Sequence, residues 1–252
     1  VRCREVSRLT PIAFTLAHDV EPGVMKKLCQ LAKQLKITQI TVPAAQLGTP
    51  FNSEIDRLRG FVAIANEAAV RVSIHTKTGQ LTEDPHTAVE LCQSVRGLGL
   101  SLDPSYYICG PHRSQSWDQV FPYVYHTLLR DTSEKELQVQ VGLGDVDYAR
   151  LIQQLQREGY RRTLSIDFDP AMMDLNIRPL ELRKLRDGLA AIGLGTYWGI
   201  YAWGPELVHE VLADSVSIED RRKSAAFAYG LMNFTGGLAG LLAFAPISMM
   251  TS

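Results

Sequence analysis

The chain has 252 residues, about 1.7 times a 150-residue domain, but α/β barrels of this length are routinely single domains. With 26 Lys+Arg against 27 Asp+Glu the net charge is −1, which argues against whole-chain affinity for nucleic acid; 46% apolar and 21% charged residues exclude a disordered chain. That average conceals one anomaly: Ser224 to Ser252 contains no Asp, Glu, Lys, Arg or His, directly after Arg221-Arg222-Lys223.

In chain order, short β-rich runs alternate with longer amphipathic ones. The runs Pro11–His18, Ile37–Pro43, Val70–His75, Leu98–Pro104, Tyr123–Arg130 and Thr163–Asp169 read as strands, starting 26, 33, 28, 25 and 40 residues apart. Helical patterns fill the gaps at Gly23–Leu35, Ser53–Ala69, Asp84–Val95 and Asp147–Glu158. Asp84-Pro85 is a helix-start signal, an N-cap followed by proline in the first turn. Repeated βα units imply a parallel sheet, either open and doubly wound or closed as a barrel. No GxGxxG follows the first strand, so a nucleotide cofactor is not expected. Polar residues recur at the predicted strand ends: His18, His75, Asp103, His126 and Asp167. A (β/α)8 barrel builds its site there.

The expected fold is therefore α/β, a TIM-barrel-like domain over residues 1–195, with a C-terminal extension over 196–252. Only six βα units are clear. The other two are expected either before Val1 or, for one of them, from Tyr197–Trp203. Val1 is not a Met and no signal-peptide pattern follows it, as in a processed product or a fragment. The cysteines Cys3, Cys29, Cys92 and Cys109 show no CxxC spacing and read as reduced thiols in a cytoplasmic setting.

His75, Asp103, His126 and Asp167 fall on consecutive strands and would converge in a barrel. Two imidazoles and two carboxylates suit a divalent metal such as Mn, Zn, Co or Mg. Singly, each reads more readily as a helix cap or a hydrogen-bonded rim residue; only the convergence of the four brings the metal reading level with that. Gly142 and Gly144 suggest a phosphate-binding turn or, preferably, a tight loop before a helix capped by Asp145. His112, Arg113 and Arg130 are candidate anion contacts.

Three segments carry a resemblance: Gly99–Tyr106 (GLSLDPSY), Val124–Thr132 (VYHTLLRDT), and Val141–Tyr148 (VGLGDVDY) with Gly159-Tyr160 and Leu164–Asp167 (LSID). Ile74–Leu81 (IHTKTGQL) before Glu83-Asp84-Pro85 adds a weaker fourth. In order and spacing they resemble the xylose-isomerase-like barrel superfamily, which includes sugar phosphate isomerases and epimerases, inosose dehydratases and endonuclease IV. The resemblance implies a metal held by Glu, Asp, His and Glu, with the two Glu exchanging a proton beside a carbonyl. Here Asp103 and His126 match, His75 and Asp167 replace the two Glu, and Lys77 and Tyr106 replace two accompanying His. Shortening Glu to Asp withdraws the carboxylate by more than about 1 Å, and a misplacement of that size costs on the order of 10²-fold.

The resemblance thus points to a divergent isomerase or epimerase acting on a small sugar-like hydroxy-carbonyl substrate. His75, Asp167 and Lys77 would be catalytic, Arg130, Tyr106 and His112 would bind substrate, and His75, Asp103, His126 and Asp167 would hold the metal. The other reading is a barrel without catalysis, serving as a subunit of a larger or membrane-associated assembly. Residues 224–252 would make that contact: Ala225–Met250 is long enough to cross a bilayer, although Asn233, Gly236-Gly237 and Pro246 also fit a hydrophobic tail on a protein partner.

Overall fold

A computed structural model describes residues 10–196, with side chains through residue 192. It divides into a compact unit ending at Leu185 and a second beginning at Arg186. The first is built from six strands: β1 (Phe14–Thr15), β2 (Gln39–Pro43), β3 (Arg71–His75), β4 (Leu98–Leu102), β5 (Val124–Leu129) and β6 (Leu164–Ile166). They form one sheet in the order β1-β2-β3-β4-β5-β6, and every neighbouring pair is parallel. This is the sequential strand order of a TIM barrel, carried through six strands among the described residues. Tyr197–Trp203 and the charge-free run lie outside them. Among the described residues no helix is long and apolar enough to cross a membrane.

All six predicted strands exist, but the outer two are shorter than expected: β1 keeps two residues and β6 three. Among the described residues each has only one paired neighbour, so there its ladder is held from one side.

The helices are α1 (Pro22–Leu35), α2 (Phe51–Glu67), α3 (Pro85–Ser94), the single turn α4 (Ser105–Ile108), α5 (Tyr148–Arg157) and α6 (Arg178–Thr196). Local signals set their ends. Pro22 starts α1, and Lys36 closes it in the left-handed region at φ 59°. Asp84 caps α3, accepting from the amides of His86 and Thr87. At α5 the cap is Asp147, which accepts from the Arg150 amide; the expected cap, Asp145, instead accepts from the Glu134 amide.

The strands alternate faces. One face carries Ile40, Val42, Val72, Ile74, Leu100 and Leu102, all buried. Against the sheet lie α2 on β3 and α3 on β4, with α1 packed beside α2. Leu58, Phe61 and Ala65 of α2 and Ala88 and Leu91 of α3 complete this core. Cys29 and Cys92 are free thiols within it, and burial pushes the Cys92 pKa up to about 12, so it is inert.

The opposite face is polar. Thr41, Ser73 and Ser101, on three successive strands, form a closed triangle of hydroxyls at 2.6–3.1 Å. The Gln39 amide donates to the Ser73 hydroxyl at 2.7 Å. These side chains are buried, and each bond offsets the cost of removing a polar group from water.

Candidate active site

Following the polar face toward the C-terminal ends of the strands leads to His75, Asp103, Arg130 and Asp167. They come from β3 and from the residues just after β4, β5 and β6. Asp103 is fully buried. Its Oδ1 accepts from the Ser105 amide at 3.0 Å and from the Ser105 hydroxyl, and its Oδ2 accepts from Arg130 Nη2 at 2.7 Å. The Asp103 amide donates to Thr76 Oγ1 at 2.8 Å. The same Arg130 nitrogen reaches Asp167 Oδ2 at 3.1 Å, so one guanidinium joins two carboxylates. Asp167 is the open member, with 48% of its side chain exposed.

His75 Nε2 stands 3.8 Å from Asp103 Oδ2 and has no hydrogen-bond partner. Its ring meets Tyr106 edge-on at 5.8 Å, and the Arg130 guanidinium lies 5.8 Å from the centre of the same Tyr106 ring. Burial alone would raise the Asp103 pKa, but His75, Arg130 and Ser105 outweigh it and hold the carboxyl below its ordinary value.

The structure thus brings together His75, Asp103, Arg130, Asp167 and Tyr106, and it separates the remaining candidates. His126 is the third residue of β5, opposite Ser101 and inside the ladder. Its Nε2 bonds the Ser165 hydroxyl at 2.8 Å, and burial lowers its pKa, so the ring is held neutral. His112 is turned to Glu83 and Asp84, at 3.6 and 3.9 Å. Lys77 is exposed beside the Leu81–Glu83 turn, where its amide donates to Thr82 Oγ1.

Ser105 and Thr76 fix Asp103 and were not among the expected site residues. Ser105 had a legible signal, since a serine two positions after an aspartate is a common local hydrogen-bond pattern. Thr76 had none, because it acts across strands.

These contacts decide how well the mouth suits a divalent ion. Both oxygens of Asp103 are satisfied by Ser105 and Arg130, and the guanidinium occupies the space between the two carboxylates. Among the described residues no group of three or more His, Cys, Asp or Glu side chains is placed to hold a metal. The expected set His75, Asp103, His126 and Asp167 therefore does not fit a metal here. The reasons are Arg130 at its centre and His126 bonded elsewhere.

The loop after β5 also resolves the two glycines. The Gly142 and Gly144 amides both donate to Asp131 Oδ2, at 2.6 and 3.2 Å. The turn cradles an anion, but that anion is the protein's own carboxylate.

No match is found among curated proteins. Several solved structures share the fold. A xylose isomerase domain protein from Planctomyces limnophilus aligns with a TM-score of 0.54 at 18% identity, over 68% of this chain and 63% of that one, so the chain spans just under two thirds of its length. A xylose isomerase-like TIM barrel protein from Mycobacterium smegmatis, in complex with magnesium, gives 0.56 at 17% over 72% and 74%. The probable 3-DHS dehydratase AsbF from Bacillus anthracis, involved in petrobactin synthesis, gives 0.59 at 15% over 73% and 78%. At such identities these likenesses speak for the fold. The family model described as xylose isomerase-like TIM barrel matches residues 13–190, and the chain belongs to that family.

Proposed function

We propose that the mouth formed by His75, Asp103, Arg130 and Asp167 binds a small sugar-like hydroxy-carbonyl compound and exchanges the proton beside its carbonyl. The observation that carries this reading is Arg130, whose guanidinium lies between Asp103 and Asp167 at 2.7 and 3.1 Å. A fixed cation at a strand-end mouth can stabilise an enolate oxygen without rearranging. His75 Nε2, free of hydrogen bonds, takes the proton from the carbon next to the carbonyl. The electron pair moves onto the carbonyl oxygen, facing Arg130. Asp167, the exposed carboxylate, exchanges protons at the other side. The family membership supports a sugar-type substrate.

A second reading rests on the same contacts. Arg130 and Ser105 satisfy both oxygens of Asp103, as a mouth that has become purely structural would require.

Deuterium exchange separates the two. The full chain is incubated in D2O with a panel of ketoses and hydroxy-keto acids, and the protons beside the carbonyl are followed by NMR. Exchange of at least one compound is expected, surviving exhaustive treatment with chelator. It should fall about 10²-fold or more in His75→Ala, the usual scale for losing a general base. If no compound exchanges and none shifts the protein's spectrum, the structural reading holds.

A further inference from the structure

The opposite end of the sheet holds a second concentration of charge that the mouth does not use. A cleft of about 310 Å³ opens at the N-terminal ends of the strands. Lys36, Arg71 and Arg162 all line it, and no Asp or Glu is among its described lining residues. Lys36 follows α1, Arg71 opens β3, and Arg162 lies two residues before β6, so three separate elements deliver cations to one place. Arg162 is held in position: its Nη1 donates to the Val124 carbonyl at 3.0 Å, and its guanidinium lies over the Tyr125 ring at 4.7 Å. Burial and then the neighbouring charge of Arg71 lower the Arg162 pKa.

A second observation points to a ligand. His126 also lines this cleft and is 94% buried, with 6% relative exposure. Its Nε2 bonds Ser165, but its Nδ1 has no partner. In the tautomer whose Nε2 accepts from the Ser165 hydroxyl, the neutral imidazole carries its own proton on Nδ1 and is a donor there. A buried polar nitrogen without a partner is costly and rare.

We propose that this cleft is a binding site for a phosphate-type dianion. Lys36, Arg71 and Arg162 neutralise it and His126 Nδ1 donates to it from the floor. Guanidinium forks suit the tetrahedral oxygens of phosphate. The cleft lies in the volume range of small-ligand sites, which leaves room for an organic body and favours a phosphate monoester over the free ion.

Calorimetric titration of the full chain at low ionic strength tests this, with inorganic phosphate in one arm and glycerol phosphate in the other. Saturable binding near one equivalent is expected, tighter for the monoester. Arg71→Gln and Arg162→Gln should each weaken it at least tenfold; both residues are largely exposed, and a thermal melt of each variant checks that the fold survives, since Arg162→Gln also removes the bond to the Val124 carbonyl. Lys36→Gln, also exposed, is a further check of the same kind. His75→Ala, at the far mouth, should leave binding unchanged. The proposal is overturned if neither anion gives saturable heat, if binding survives both arginine substitutions, or if His75→Ala abolishes it. None of these outcomes depends on proton exchange at the mouth.

Discussion

Asp103 carries a large electrostatic risk for a single residue. It is a fully buried carboxylate beside one buried arginine. Such a pair adds little net stability, but breaking it leaves an uncompensated charge, which costs about 3–5 kcal/mol. Arg130→Met should therefore lower the urea unfolding free energy by about that amount. Asp103→Asn in the Arg130→Met background should recover much of the loss, because the orphaned charge is gone. A double-mutant chain no more stable than Arg130→Met would mean that the damage is steric. At this scale the sequence was partly legible. Asp103, Asp167, His75 and Arg130 all stand at strand ends that periodicity reveals. Which β5 side chain reaches the mouth was not legible. His126, Leu128 and Arg130 share one face, and the choice is made by a register shift between Leu100 and Ser101, across which β5 advances two residues for one of β4. No single-strand pattern encodes that shift.

Among the elements, the loop from Asp131 to Asp147 shows how a turn becomes rigid. Its amides converge on Asp131, and Thr132 is tied in by the Asp145 amide at 2.7 Å. Gly144 is required by space: a Cβ there would collide with Asp131 Oδ1 and the Thr132 carbonyl oxygen. Gly144→Ala should cost about 1–3 kcal/mol, the range for overpacking a tight site. A thermal melt superimposable on that of the unchanged chain would contradict this. The start of α3 was legible because Asp84 caps its own helix. The Asp145 expectation failed because two aspartates two residues apart both fit the cap pattern, and only the path of the loop selects Asp147.

For the whole molecule, His126 and Asp103 are two of the buried groups that shape the response to acid. The His126 pKa is lowered by burial, so the unfolded chain binds its proton first as pH falls below about 6.5. The Asp103 pKa is also lowered, so the unfolded chain again binds the proton first below about 3.9. In both cases stability is present above the unfolded-state value and is lost as pH falls toward the folded one. Urea midpoints should be flat near pH 7.5, decline below about 6.5, and decline again below about 4. His126→Gln should flatten the first decline and leave the second. The fold itself was the most legible feature, because six strands at regular spacing define a sequential parallel sheet. The cation at its mouth could not be read this way, since it depends on which side chains meet.

The strand order has a kinetic consequence. Each strand pairs with the next one in the chain, so no ladder among the described residues joins distant segments. Partners of this kind lie a few tens of residues apart and close modest loops. The sheet can be laid down in the direction of synthesis, with β1 and β2 joined once residue 43 has emerged and every later unit docking onto an edge already formed. Growth of this kind can pause after any βα unit without undoing the pairs already made. It also leaves each successive edge exposed until the next strand covers it, so the danger during synthesis is greatest between β5 and β6, where 34 residues (130–163) must pass before the edge is capped.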